Sequence, residues 1–304
     1  MNIIGHKKIF LTVSSILVLA SVVAIAVFGF RPGIDFAGGT LWQIMRTDAD
    51  LPRHLAGQAQ TDAETISIVL AGAGIENPII AASDEGFLIR MPEISEEKHQ
   101  NLLNEMKSKL GKIEELRFET IGAAVGAELK NKAITAFVLV LVGISLYIAF
   151  AFRKVSRPVS SWKYGIITLI TLFHDALIPA GLFAFLGYLS GVEVDTNFIV
   201  AILVVMGFSV HDTIVVFDRI RENLKVVGLS KKTFEELVND SVNQTIARSI
   251  NTSLTLVLVL IAMFFLGAPT LKYFVLVILV GTIAGTYSSI FVASPLLTIW
   301  KKRV

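Results

Sequence analysis

The chain has 304 residues, of which 54% are hydrophobic, and its mean hydropathy is +0.69. Such an average is too high for a soluble globular protein of this size, and it indicates a polytopic membrane protein. The net charge of +2 gives no case for nucleic-acid binding, and the absence of cysteine excludes disulfides and thiolate metal sites.

Six apolar segments are each long enough to cross a lipid bilayer as a helix, which takes roughly 20 residues. They cover residues 9–30, 133–152, 164–188, 197–217, 250–267 and 273–298. The first segment is longer than the apolar core of a secretory signal, which has about 7–15 residues, so we interpret it as a retained anchor. The predicted organisation is an N-terminus with the first helix in 1–30, a hydrophilic domain in 31–131 and a five-helix transmembrane domain in 132–304.

Lys and Arg gather in four segments: the N-terminus, the loops at 153–163 and 218–249, and the C-terminus. With six spans, all four segments fall on the same side of the membrane. An excess of basic residues in such segments marks the cytoplasmic side. We therefore expect cytoplasmic termini and loops, and an extracytoplasmic domain at 31–131.

The hydrophilic domain shows its own succession of strand and helix patterns. The predicted elements are a strand at 40–46, a helix at 62–73 capped by Thr61 or Asp62, a hairpin at 79–91 that turns at 83–86, a helix at 95–110 and a strand at 113–120. This βαββαβ order predicts a small α+β sandwich of the ferredoxin-like kind. The alternative is an irregular linker domain.

Two acidic residues stand inside the predicted spans, where a carboxylate costs about 2.5–3.5 kcal/mol on insertion scales. Asp175 lies in the third span and Asp212 in the fourth, and each follows a histidine, His174 and His211. Acids persist at such positions when they have a partner or a function. Asp212 is our first candidate for a carboxylate that binds and releases a proton, and the other three residues are further members of the predicted proton pathway.

The fifth span opens with a polar stripe whose spacing places its members on one helix face. The stripe consists of Gln244, Arg248, Asn251, Thr252 and Thr255. Because the fourth and fifth spans are antiparallel, Arg248 is predicted at a depth similar to that of Asp212, and its permanent charge needs an anion or water nearby. We therefore place Arg248, Asn251 and Thr252 in the proton pathway, with Arg248 modulating Asp212. The alternatives are a purely structural ion pair and an Arg248 side chain that snorkels to the headgroups.

Metal and hydrolase chemistry are the weaker alternatives for the His-Asp pairs. Adjacent helical residues point about 100° apart, so each pair would supply one metal ligand rather than two. The zinc-protease motif His-Glu-x-x-His is absent, and no nucleophile is recognisable. We expect a transport subunit rather than an enzyme, with no catalytic residue, no bound metal and protons as the coupling ion.

Small residues mark two further segments. Gly33, Asp35, Gly38 and Gly39 follow the first span, and glycines there permit a tight bend as the chain enters its first strand. Asp35 can bind a backbone N–H in such a bend, and we interpret the segment as a joint that passes motion between the spans and the hydrophilic domain. In the sixth span, small residues at positions 281, 285 and 289 predict close helix packing.

Three motifs, in this order, resemble those of the SecD/SecF family of bacterial protein-export membrane proteins. The segment 33–39, GIDFAGG, resembles the family's GIDFxGG motif, the segment 207–223 resembles its second signature, and the segment 243–253 resembles its third. With six spans and a first outer loop of the right size, the resemblance covers essentially the whole chain. It is a resemblance to the SecF members, although GIDFxGG alone would also admit SecD.

The resemblance implies half of a resistance-nodulation-division bundle, completed to twelve spans by SecD as the heterodimer partner. It implies residence in the cytoplasmic (inner) membrane of a bacterium and use of the proton motive force to promote polypeptide export. The SecYEG channel, YajC, the unfolded translocating polypeptide and the lipid bilayer are the other partners it implies. Asp212 and Arg248 match the family's intramembrane aspartate and arginine, both tied to proton use, whereas His211 stands where many members have Asn. A small-molecule or lipid exporter of the same superfamily is the alternative, and the short, polar outer segment argues against it.

Overall fold

The computed structural model describes residues 1–47, 56–83, 86–153, 159–226 and 232–300. In chain order its helices are α1 (Lys7–Phe28), α2 (Ile34–Ala37), α3 (Ala56–Gly72), α4 (Glu96–Leu110), α5 (Ala123–Ala151), α6 (Ser161–Ser190), α7 (Thr196–Val226), α8 (Phe234–Leu266), α9 (Lys272–Ser288) and α10 (Ser294–Ile299). The strands are β1 (Gly39–Arg46), β2 (Ile79–Ser83), β3 (Gly86–Met91) and β4 (Ile113–Ile121). Short 3₁₀ turns, Ile4–His6 and Pro269–Leu271, precede α1 and α9, and a π-helical turn, Ser289–Ala293, separates α9 from α10.

The chain divides into two compact units. The first comprises Met1–Arg31 with Ala133–Val304, and the second comprises Pro32–Lys132, where the sequence predicted 31–131. Parts of two sequence predictions lie outside the described residues. These are the centre of the hairpin turn at 84–85 and the basic residues at 154, 157, 231 and 301–303.

Six helical segments in the described ranges are long and apolar enough to span a membrane, which confirms the predicted number of spans. They are Ile4–Phe28, Ala123–Ala151, Ser161–Ser190, Thr196–Val226, Phe234–Leu266 and Pro269–Ile299. At about 1.5 Å per residue, the 33-residue α8 is about 50 Å long, well beyond the roughly 30 Å of a hydrocarbon core. The first turns of α8 therefore project out of the apolar layer.

The start of α8 corrects one sequence prediction. The pattern of 231–247 predicts a helix that lies along the membrane surface and leads to the fifth span, but α8 runs from Phe234 into that span without a break. A capping box starts α8: Thr233 Oγ1 accepts the Glu236 N–H at 3.3 Å, and Glu236 accepts the Thr233 N–H at 2.8 Å. No Pro or Gly follows until Gly267, so nothing interrupts the helix where it enters the apolar span.

The segments that were predicted to share one membrane side lie at the same end of the bundle. The backbone N–H of Ile3 donates to Asn239 Oδ1 near the start of α8 at 2.8 Å. Lys163 Nζ donates to Trp300 O at 2.8 Å, which joins the start of α6 to the end of α10. The turn Ile4–His6 also contacts α10. The described parts of the two basic loops and both termini are thus neighbours.

Small residues let the helices of the first unit approach closely. An added Cβ at Gly285 of α9 would lie 3.0 Å from Ser209 Cβ of α7, and one at Gly281 would overlap the Val205 side chain. This close approach confirms the predicted packing role of the small residues in the last span. It also brings polar side chains of α7 and α9 within reach of each other.

The second unit contains a four-stranded antiparallel sheet with the strand order β2-β3-β1-β4. In the central strand β1, Trp42 stands opposite Ile89 of β3 and Phe118 of β4. Side chains from α3 and α4 pack with those of the sheet into one apolar core, in which Trp42, Ile66, Ile89 and Met106 are fully buried. The βαββαβ chain order with this strand order confirms the predicted ferredoxin-like sandwich.

One helix start in this unit was predicted correctly and the other was not. Ser95 Oγ caps α4 by accepting the N–H of its third residue at 3.3 Å. Helix α3 begins at Ala56, ahead of the predicted cap at Thr61 or Asp62. Asp62 Oδ1 lies 3.0 Å from Arg46 Nη1 of β1, so its carboxylate forms an ion pair instead of starting a helix.

A polar cluster that contains two buried rings joins α4 to the sheet. His99 is 2% exposed, and its Nε2 lies 2.6 Å from Glu115 Oε2 of β4. Trp42 Nε1 donates to the same oxygen at 2.7 Å, and the His99 ring stacks on Phe118 with 3.6 Å between ring centres. Glu115 is therefore the shared hydrogen-bond partner of two buried rings, and leaving either ring without it would be costly.

Candidate proton-binding site

Two carboxylates lie inside the helical bundle of the first unit. Asp175 of α6 is 0% exposed, and Asp212 of α7 is 2% exposed. Both stand near the middle of helices that are candidate membrane spans. Carboxylates buried in this way need hydrogen bonds, a counter-charge or a proton.

Asp175 is held by side chains from three helices. Its Oδ2 accepts hydrogen bonds from the hydroxyl of Ser209 in α7 and from that of Ser288 in α9, the latter at 2.7 Å. Its Oδ1 lies 2.8 Å from Nδ1 of His174, its neighbour in α6. Both serine side chains are fully buried. Asp175 therefore ties α6, α7 and α9 together.

Asp212 has a sparser set of partners. Its Oδ2 accepts a hydrogen bond from Ser253 Oγ of α8 at 3.3 Å. Ser249 O, at 2.8 Å, is a second acceptor for the single hydrogen of this hydroxyl, and Thr286 Oγ1 of α9 donates to Ser253 Oγ at 2.6 Å. Within the described ranges, no ion pair joins Asp212 to a basic side chain. A short chain of hydroxyls thus leads from Asp212 through α8 to α9.

The two histidines have different surroundings. His174 is 4% exposed, and its buried Nε2 has no hydrogen-bond partner among the described residues. Its ring lies nearly parallel to that of Tyr287, with 6.3 Å between centres, and the Tyr287 hydroxyl donates to Phe10 O of α1 at 3.0 Å. His211 is exposed. In the part of the chain that the structure describes, no three His, Asp or Glu side chains come together as metal ligands would.

Asp212 and Arg248, which are predicted to lie at similar depths, form no ion pair in the described part of the chain. Arg248 is exposed, whereas the side of α8 that faces Asp212 carries Ser253. These two α8 residues are five positions apart, which turns their side chains about 140° from each other around the helix. Asn251 and Thr252 are exposed as well, so the predicted polar stripe is a surface face of α8 rather than part of the interior.

Sequence reasoning missed the two hydroxyl partners that α9 supplies, Thr286 and Ser288. A signal was present, because the letters TYSS at 286–289 interrupt an otherwise apolar span. Serine and threonine hydroxyls in a helix often bond to a carbonyl of the preceding turn and to nothing else. Ser288 Oγ has such a contact, with Gly285 O at 3.1 Å, in addition to its bond with Asp175. Their presence in a span therefore does not by itself indicate a site.

The glycine segment after the first span has a local structural role within the second unit. Gly33 precedes α2, Asp35 lies in the first turn of that helix, and Gly38 ends it. Gly38 and Gly39 have φ angles of +75° and +117°, in the left-handed region that favours glycine. A Cβ on Gly38 would lie 2.8 Å from the backbone Cα of Ala123 at the start of α5, and one on Gly39 would lie 2.9 Å from a backbone oxygen of β3. Both positions thus combine a special backbone angle with a lack of space.

Comparisons with known proteins match both units of the chain. Residues 100–303 match the family model described as "Protein export membrane protein SecD/SecF, C-terminal", and residues 23–44 match the SecD/SecF GG motif. The "Protein translocase subunit SecF" of Thermobaculum terrenum is 42% identical over 316 residues, which cover 99% of this chain and 94% of that protein. The protein of the same name from Synechocystis sp. is 38% identical, over 95% of this chain and 91% of its own length.

A longer relative extends the likeness to a solved structure. The "Protein translocase subunit SecDF" of Thermus thermophilus is 36% identical over 99% of this chain, which corresponds to 39% of its own length. The crystal structure of SecDF from the same organism superposes with a TM-score of 0.81 at 34% identity. That superposition covers all of this chain and 39% of the other.

Proposed function

This chain belongs to the SecD/SecF family as a SecF subunit of the Sec translocase accessory complex, and we propose that it couples proton movement to polypeptide export through Asp212. The role is one of transport. The observation that carries the proposal is the burial of Asp212 within a candidate membrane span, where its carboxylate accepts one long hydrogen bond, from Ser253.

The energies of burial and of the proton gradient are of the same order. An ionised carboxylate at the centre of a membrane span costs about 2.5–3.5 kcal/mol on insertion scales, and a 3.3 Å hydrogen bond offsets little of that. Binding a proton removes the charge. A charge that crosses the full membrane potential releases about 2.3 kcal/mol per 100 mV. The gradient can therefore drive Asp212 between its two protonation states.

A change of charge at Asp212 acts directly on three helices. The Ser253 hydroxyl is placed between Ser249 O at 2.8 Å and Asp212 Oδ2 at 3.3 Å. A carboxylate is a stronger acceptor than a carboxylic acid, so deprotonation draws this hydroxyl toward α7 and protonation releases it to its own helix. Thr286 of α9 moves with Ser253, because its hydroxyl donates to Ser253 Oγ. We take this shift among α7, α8 and α9 as the first mechanical step of coupling.

Arg248 takes part from the other face of α8. A surface that carries Arg248, Asn251 and Thr252 is too polar to face lipid in the middle of a membrane. In the proposal this face meets SecD, so that Arg248 lies in a hydrated seam between the subunits and modulates proton access to Asp212. Relatives named SecDF, of which this chain matches one part, support SecD as the partner. The SecYEG channel, YajC and the unfolded polypeptide are the further partners that we propose.

The same proposal fixes the orientation. The described parts of the basic loops and termini meet at one end of the bundle, and an excess of Lys and Arg favours the cytoplasmic side. We therefore place the protein in the bacterial cytoplasmic membrane with both termini in the cytoplasm and the ferredoxin-like unit outside.

The test is export by inverted membrane vesicles that contain the Asp212→Asn variant with SecD, measured with and without a proton gradient. We expect the gradient-dependent part of export to disappear while co-purification with SecD stays unchanged, and Arg248→Met to reduce it. Asp240→Asn is the matched control, because Asp240 is a half-buried carboxylate near the start of α8 that pairs with Lys232 at 2.6 Å. Normal gradient stimulation in Asp212→Asn vesicles would overturn the proposal.

A further inference from the structure

We propose that His174 and Asp175 together form a second proton-binding site, separate from Asp212, which exchanges its proton through Nε2 of His174. The inference rests on the proposed function only for its role in export. Its structural basis is the buried hydrogen-bonded pair on α6, the two hydroxyls from neighbouring helices that hold it, and the unpartnered ring nitrogen.

Asp175 is built into the bundle as an acceptor. Its Oδ2 accepts the hydroxyls of Ser209 and Ser288, and its Oδ1 faces His174 Nδ1 at 2.8 Å. Hydroxyl groups that converge on one oxygen stabilise a carboxylate rather than a carboxylic acid. A carboxylate fully buried among membrane helices also needs a positive partner, and His174 is placed to supply one.

No other charged group in the described structure is placed to neutralise Asp175. From α9 the neighbouring titratable group is Tyr287, whose hydroxyl is engaged with Phe10 O of α1. Helix α1 has no titratable residue after Lys8, and the π-helical turn and α10 have none. Helix α7 contributes His211, which is exposed, and Asp212, which is turned to Ser253 of α8. The charge of the site is therefore set by the pair itself.

The proton count of the pair can be written atom by atom. Without an added proton, the pair is a carboxylate and a neutral imidazole whose Nδ1–H points at Oδ1, and it carries a single negative charge. One added proton makes the pair neutral, either as carboxylate with imidazolium or as carboxylic acid with neutral imidazole. Because the Ser209 and Ser288 hydroxyls donate to Oδ2, the acid hydrogen lies on Oδ1 and points at Nδ1. In both neutral forms Nε2 therefore carries a hydrogen, whereas in the charged form Nε2 is a bare acceptor. The proton therefore arrives and leaves at Nε2, the atom that the structure leaves without a partner.

Loading this site changes the charge at a junction of helices. Ser209 lies where Gly285 lets α7 and α9 approach each other, and Ser288 follows Gly285 by less than one turn. If the proton passes to Asp175, both hydroxyls lose the charged acceptor that holds α7 and α9 against α6. A change in the proton occupancy of this site therefore acts on α7 and α9, which are also affected by the charge of Asp212.

The test is nitrogen NMR of the full chain with SecD in lipid nanodiscs, with the five histidines labelled with ¹⁵N and His174→Gln used to identify the His174 signals. As the pH falls, Nε2 of His174 is expected to change from a bare to a protonated nitrogen in one step. Asp175→Asn should lower the proton affinity of His174 by about tenfold or more, because the carboxylate is lost. Ser288→Ala keeps the His174–Asp175 pair intact and is the milder variant if Asp175→Asn folds poorly. It should change the proton affinity of His174 by a smaller factor. Asp240→Asn is the control and should leave the step unchanged, because Asp240 pairs with Lys232 near the start of α8.

Two results would overturn the inference. One is an Nε2 signal of His174 that stays unprotonated, or stays protonated, throughout the pH range in which the protein remains folded. The other is a His174 titration that neither Asp175→Asn nor Ser288→Ala alters. The readout does not depend on export. If Asp212→Asn leaves gradient-dependent export normal while His174 titrates as expected, the proposed function fails and the second site stands.

Discussion

Gly38→Ala tests whether the glycine segment is fixed by lack of space as well as by its backbone angle. Gly38 and Gly74 both have a positive φ, +75° and +71°, and an alanine in the left-handed conformation at Gly74 costs about 1–2 kcal/mol. Gly38 also has a ψ of 169°, a combination that glycine adopts far more readily than other residues, so an alanine there costs about 1–3 kcal/mol in backbone strain. Around Gly74 no heavy atom lies within 4 Å of an added Cβ, whereas at Gly38 it would lie 2.8 Å from Ala123 Cα. That atom is backbone and cannot turn aside as a side chain can. Overpacking of this kind costs about 1–3 kcal/mol more.

We therefore expect Gly38→Ala to lower the free energy of unfolding of the second unit by about 2–6 kcal/mol, against about 1–2 kcal/mol for Gly74→Ala. The assay is urea unfolding of the full chain in nanodiscs, followed by the fluorescence of Trp42, which is fully buried in that unit. Trp162→Phe and Trp300→Phe make Trp42 the sole tryptophan of the three in the chain.

A third variant gives the baseline for this comparison. Gly72→Ala meets no atom within 4 Å and has no left-handed φ, so it should be neutral or stabilise the unit by about 0.5–1 kcal/mol. Equal losses for Gly38→Ala and Gly74→Ala would refute the reasoning, because the close approach to α5 would then carry no energetic weight.

Three further changes test other parts of the fold. Gly281→Ala should destabilise the bundle by about 1–3 kcal/mol, because the new methyl group overlaps the Val205 side chain. In a double-mutant cycle measured by thermal unfolding, Val205→Ala in the same chain should recover part of that loss. Additive losses from the two substitutions would contradict the close contact between Gly281 and Val205. Glu115→Gln should cost the second unit about 1–3 kcal/mol in urea unfolding, because the charged partner of two buried rings is lost, and an unchanged midpoint would contradict this. The hydrogen bond from Gln100 lowers the pKa of the Glu96 carboxyl, so the stabilisation from Glu96 is present above the ordinary carboxyl range and is lost as the pH falls through the lowered value. Carboxyl-carbon NMR of the full chain should show that low value, and Gln100→Ala should move it upward toward the ordinary range.

The number of spans and the sandwich could be predicted because their signals are local. A run of apolar residues identifies a span without reference to its neighbours, and the βαββαβ order restricts the possible sandwich topologies to a few. The cap of α3 could not be predicted in the same way. Asp62 is a good helix-starting residue, but Arg46 from a distant strand engages its carboxylate, and no local pattern reports that contact.

The candidate site shows the same limit within the bundle. Spacing along α8 identifies which residues share a face, but two polar faces exist there, one with Arg248 and one with Ser249 and Ser253. The sequence does not say which face turns inward, since that depends on the packing of α7 and α9. The hydroxyls around Asp175 come from two other helices, so their convergence appears only once all three helices are placed.

The π-helical turn in the last span has a genetic consequence. A wide turn holds one residue more than an α-helical turn, which is what a single inserted codon leaves when the flanking helix faces keep their contacts. Deleting one residue from 289–293 would restore a regular helix whose faces before and after the turn keep their relation, whereas a deletion in a regular turn would rotate everything after it by about 100° and turn Trp300 O away from Lys163. The last span therefore tolerates the loss of one codon at this turn better than in its regular turns, and the extra residue stands directly after Ser288, whose hydroxyl donates from α9 to Asp175.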